Sequence, residues 1–97
     1  MADIHNEAGV KREVRKLLAK HGWFFWMPPA NGYGKGGISD FHALKDGKFL
    51  AVETKYGSNA PTALQAKFMA SIAAAGGYAV VVNEITLDTF EFLLGQI

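Results

Sequence analysis

Apolar positions early in the chain recur at helical spacing. Between about Asp3 and His21, the residues Val10, Val14, Leu17, Leu18 and His21 fall on one stripe, and Lys11, Arg12, Arg15, Lys16 and Lys20 take the other side. The spacing predicts an amphipathic helix that Gly22 ends. Trp23-Phe24-Phe25-Trp26-Met27 follows, apolar on both sides of a strand and stopped by Pro28-Pro29, which predicts burial between layers. Gly37-Ile38-Ser39-Asp40-Phe41 and Phe49-Leu50-Ala51-Val52-Glu53-Thr54-Lys55 read as two more strands. Between them, Asp46-Gly47 is a hairpin signal, because a two-residue type I′ loop needs positive φ at both central positions. Thr62 and Gln65 have the spacing of a capping box, so a helix runs from there to about Ala75 and stops at Gly76-Gly77. Tyr78-Ala79-Val80-Val81-Val82-Asn83 reads as a buried strand, parallel to an earlier one because a helix crosses between them. A last helix, capped by Thr86, covers Leu87–Leu94, and its Phe90, Phe92, Leu93 and Leu94 exceed what one helical face needs, which points to a dimer contact. The order is α, β, β, β, α, β, α, an α/β fold with a mixed central sheet flanked by helices.

Composition narrows the setting. At 97 residues the chain, 1–97, has room for one domain, and 49% apolar content supplies a core while making disorder a poor description. It has no cysteine, so there is no disulfide framework, thiolate zinc site or cysteine nucleophile, which fits a reducing cytoplasm. Met1-Ala2-Asp3-Ile4-His5 lacks the plan of a signal peptide, and no apolar run nears the ~20 residues of a membrane span. A net charge of +1 means that nucleic-acid binding has to come from local clusters of cations.

Charge placement inside the hairpin changes the picture most. With Asp46-Gly47 as the loop, Lys45 lies opposite Lys48 and Asp40 falls opposite Glu53, their Cβ atoms about 5 Å apart. Like charges so placed repel unless something sits between them. Alternation puts Lys55 on the same face as Glu53. Two carboxylates with no cysteine and no paired histidine suit an oxygen-liking ion, Mg²⁺ or Mn²⁺, with the Thr54 carbonyl as a further oxygen. Such an ion acidifies bound water and neutralises charge on a phosphoryl oxygen, and Lys55 can orient that water or offset transition-state charge. The plainer account of Asp40, Glu53 and Lys55 is a cross-strand ion-pair network of small stabilising value.

Other candidates carry two readings each. Glu7 lies in the apolar stripe of the first helix, where it is either a first-turn acid favoured by the helix dipole or a further carboxylate for a second ion. Lys11, Arg12 and Arg15 belong to a solvated face or to a phosphate-binding one. The segment Asn31-Gly32-Tyr33-Gly34-Lys35-Gly36-Gly37 is either a linker or a basic, aromatic-bearing loop that brings Lys35 and Tyr33 to a nucleic-acid backbone. Its G-x-G-x-x-G match leads into a strand and so fails as a dinucleotide fingerprint. His42 shares the Asp40 face without any zinc-type spacing, and Gln65 is explained by its cap.

Gly37-Ile38-Ser39-Asp40, twelve residues, then Glu53-Thr54-Lys55 resembles the PD-(D/E)XK nuclease signature. Glu7, Gly22, Asn31-Gly32, Lys35, Thr62-x-x-Gln65 and Gly76-Gly77 make the chain similar to the VRR-NUC, or virus-type replication-repair nuclease, family. That resemblance implies an αβββαβα core, Mg²⁺ or Mn²⁺ dependence, and hydrolysis of phosphodiester bonds in branched or flapped DNA. It also implies Asp40 and Glu53 as metal ligands, Lys55 as the catalytic lysine, Glu7 as a helix-borne acid and Gln65 as an active-site helper. Ser39 departs from the pattern, where the family usually has proline, and this bears on how the strand starts. Short members resemble Holliday-junction resolvases of phage or bacterial origin that act in DNA repair as homodimers. Two alternatives stand beside that expectation: a monomeric flap or nicking nuclease, and a non-catalytic nucleic-acid-binding module on the same fold.

Overall fold

The chain reverses at Asp46-Gly47, where φ is 50° and 77°, both in the left-handed region that a type I′ turn demands. In this computed structural model, which describes residues 3–29 and 37–97, the turn joins β2 (Phe41–Lys45) to β3 (Lys48–Thr54). Their antiparallel register pairs Lys45 with Lys48 and Phe41 with Val52, as the turn chemistry predicts. The strand predicted over 37–41 as the first half of the hairpin is displaced: regular pairing begins only at Phe41. Side chains explain the difference. The Asp40 N–H donates to Glu53 Oε1 at 3.2 Å, and Thr54 N–H donates to Asp40 Oδ2 at 2.9 Å, so carboxylates replace the backbone carbonyls of the next rung.

Among the described residues, four strands form one sheet in the order β1-β2-β3-β4. β1 (Phe24–Trp26) runs antiparallel to β2, and β4 (Tyr78–Val82) lies parallel to β3. The helices are α1 (Glu7–Lys20), α2 (Ala63–Ala74) and α3 (Leu87–Gln96). The core forms where Val10, Val14 and Leu18 of α1 and Phe90 and Leu94 of α3 meet Phe41, Ala43, Leu50, Val52 and Val82 of the sheet. Strand alternation turns His42 to the opposite face, where it stacks on Phe68 of α2 at 5.7 Å and 15°. The sheet is therefore sandwiched, α1 and α3 on one side and α2 on the other. No helix of the described residues is long and apolar enough to cross a membrane.

Element ends follow their caps. α1 starts at Glu7 instead of Asp3 because the Asn6 side chain accepts from Gly9 N–H at 3.0 Å. Gly22, at φ 79°, stops it. Both bonds of the Thr62–Gln65 capping box are present. Thr86 does precede α3 but makes no side-chain cap; its Oγ1 instead accepts from Asn83 N–H at 3.0 Å, closing the turn that leaves β4. The expectation of a first strand buried on both sides is corrected as well. Trp23 and Phe25 face inward, whereas Phe24 is 69% and Trp26 39% exposed. Among the described residues, the edge strand β1 has α1 over one face, and on the other Trp26 meets the rings of Phe24, His42 and Phe49.

Candidate metal centre at the open end of the hairpin

The end of β3 away from the turn gathers the charged residues. Glu53 is 1% exposed; its Oε1 takes the Asp40 N–H, and its Oε2 lies 3.1 Å from Lys55 Nζ. Asp40 Oδ2 accepts from Thr54 twice, from the N–H at 2.9 Å and from the hydroxyl at 2.6 Å. Its Oδ1 lies 3.7 Å from Lys11 Nζ, which is in turn 3.6 Å from Glu7 Oε2. β3 holds this end straight because Lys55 N–H donates to Val82 O at 3.0 Å, prolonging its pairing with β4.

Burial raises the pKa of Glu53 above the ordinary glutamate value, and the neighbouring Asp40 charge adds to the rise. The hydrogen bond and charge of Lys55, and the Asp40 N–H, oppose it. Two acids thus crowd one patch, each facing a separate ammonium, because charges taken out of water need partners. The donor set suits a small hard ion. Asp40 and Glu53 offer carboxylate oxygens, and since Thr54 sends its N–H toward Asp40, its carbonyl leaves the strand on that same edge. Mg²⁺ is commonly held by one or two carboxylates, with water and phosphate completing its shell. Among the described residues no three His, Asp or Glu side chains come together as a ready-made cage.

The structure brings Asp40, Glu53, Thr54 and Lys55 together as the hairpin register predicts. Glu7 reaches the group only through Lys11. Gln65 is occupied in its cap, its Oε1 accepting from Thr62 N–H at 3.0 Å. Arg15 is exposed, while Arg12 donates from Nη2 to the Asp3 carbonyl at 3.1 Å and lies 3.6 Å from Glu13. Tyr33 and Lys35 lie outside the described residues. His42 is packed among aromatic rings, its Nε2 without a partner among the described residues, and burial lowers its pKa.

Two members of the group were not expected there. Helical spacing puts Lys11 on the outer face of its helix, yet its side chain is 29% exposed and turned to Asp40. The signal for it was the four-residue step from Glu7, which stacks the two on one stripe. The Thr54 hydroxyl had no such signal, since its partner is fixed by the break in the ladder. No protein-family model matches the chain, and no curated protein matches its sequence.

Proposed function

We propose that this protein is a Mg²⁺- or Mn²⁺-dependent endonuclease that hydrolyses phosphodiester bonds in branched DNA, a VRR-NUC-like enzyme of the PD-(D/E)XK type. One observation carries the reading: a buried glutamate, an aspartate and a lysine converge at the end of a hairpin, with Asp40 oriented by Thr54. The order α1-β1-β2-β3-α2-β4-α3 is compatible with the αβββαβα core of that superfamily. Asp40, Glu53 and the Thr54 carbonyl would hold the ion, which when bound supplies an acidified water and charge neutralisation at the phosphoryl oxygen. Lys55, beside Glu53, orients the attacking water and offsets negative charge in the transition state. The exposed cation of Arg15 lies on α1 for backbone phosphates. A homodimer would present two such sites to the two strands of a junction.

Asp40→Ala and Glu53→Ala should each abolish cleavage of labelled four-way and flap substrates while DNA binding persists. Cleavage at wild-type rate by both variants refutes the mechanism. A second reading, a non-catalytic nucleic-acid-binding module, is favoured by the fact that protein groups already engage the carboxylate oxygens of Asp40 and Glu53. Mn²⁺ titrated by calorimetry separates the two: the enzyme shows a carboxylate-dependent heat, and the module shows none.

A further inference from the structure

Lys11 and Lys55 face the same pair of acids with different grips. Lys55 Nζ stands 3.1 Å from Glu53 and its side chain is 14% exposed, which is hydrogen-bond distance in a largely enclosed place. Lys11 Nζ stands 3.6 Å from Glu7 and 3.7 Å from Asp40. Those separations exceed a hydrogen bond, so the ammonium is held by charge alone. An ordinary i,i+4 surface pair accounts for Glu7 with Lys11, but not for the reach of Lys11 to Asp40 on another element. α1 fixes that reach: Val10 and Val14, on either side of Lys11, are fully buried in the core, so the helix cannot roll and the lysine stays at the mouth of the site.

Resting on the metal-site reading above, we propose that Lys11 is the resident counter-cation of Asp40, displaced when a divalent ion binds, and that this competition weakens the site's affinity for the ion. The charges make the competition unavoidable. Glu7, Asp40 and Glu53 supply three carboxylates against the two ammonium groups of Lys11 and Lys55. A divalent ion added with Lys11 still in place would turn the cluster positive and set two cations against one carboxylate, at a spacing where charges repel strongly in a partly dry site. The Lys11 side chain, tethered at its Cα and loosely held at its tip, is the one that can swing out.

The test titrates Mn²⁺ into the full chain by calorimetry, comparing wild type with Lys11→Met, Lys11→Arg and Lys16→Met. Lys16 is the control: it lies on the same helix, paired with Glu13 at 3.4 Å. Lys11→Met should bind Mn²⁺ about five-fold tighter or more, whereas Lys11→Arg and Lys16→Met should match wild type. Equal or weaker binding by Lys11→Met, with wild type binding normally, overturns the competition and leaves the metal site standing. Absence of binding by every protein overturns both. A measurement on unaltered protein decides the matter should Lys11→Met fail to fold. On adding Mg²⁺, the Lys11 ε-carbon resonance should move while that of Lys16 stays; a stationary Lys11 overturns the proposal.

Discussion

Glu53 is the side chain on which stability and proposed chemistry pull apart. Its carboxyl holds a proton more tightly in the folded chain than in the unfolded one, chiefly through burial and then through the charge of Asp40. The stability this contributes is fully present below the ordinary glutamate pKa and is lost as pH rises through the raised folded value. Urea unfolding of metal-free protein should therefore show stability falling across that window, with the fall absent in Glu53→Gln; identical profiles would remove Glu53 as its source. A ligand carboxylate must be ionised, so Mn²⁺ affinity should climb over the same window as metal-free stability declines. Much of this was legible in the sequence. Asp40, Glu53 and Lys55 are placed by counting outward from one turn, which needs no knowledge of packing. Lys11 was not so placed, because it sits at the border between the stripe of Val10 and Val14 and the basic face. Which way such a border residue turns depends on what lies across from it, and that is Asp40, far along the chain.

At the scale of elements, the hairpin does the positioning. One turn sets the register of β2 on β3, and a slip by one residue would send Glu53 to the opposite face. Gly47, at φ 77°, occupies a conformation that costs other residues about 1–2 kcal/mol. Gly47→Val should lower the melting temperature by roughly 4–16 °C, since a branched side chain fits that region worst. It should weaken Mn²⁺ binding as well, because the acids depend on the same register. Full retention of both would mean that the sheet fixes the register without its turn. Caps and turns were readable in this way because they are local: Thr62 with Gln65, Gly22, Asp46 with Gly47. β1 was not. The five apolar residues Trp23–Met27 promise burial on two sides, but Phe24 and Trp26 end on a face of an edge strand that no described element covers, and edge position belongs to the whole sheet.

At the scale of the molecule, the other edge of the sheet is the less protected one. β4 is a run of Tyr78, Ala79, Val80, Val81 and Val82 at the end of the sheet order, with no charge or proline along it. Natural edges are usually blunted by such residues against pairing with another chain. Beside β4 lies a cavity of about 380 Å³ against α3, lined by Val80, Val81, Thr86, Phe90, Phe92 and Leu93 among others, none of them charged. Phe92 projects next to it, 69% exposed. A hollow and a projecting ring on one face are what an isologous contact uses, since each copy offers the knob that the other receives. Groups close to a two-fold axis face their own copies, so a charge there repels itself, and the lining of this hollow carries none. The proposed homodimer would use this surface, where the apolar surplus of the last helix lies. Phe92→Glu would push a carboxylate into each apolar hollow and should turn a dimer into a monomer in sedimentation at micromolar concentration. Its own fold should change little, because exposed substitutions usually stay within about 0.5 kcal/mol. A wild type that sediments as a monomer at that concentration removes the symmetric junction substrate from the proposal and leaves a nuclease that cuts one strand at a time.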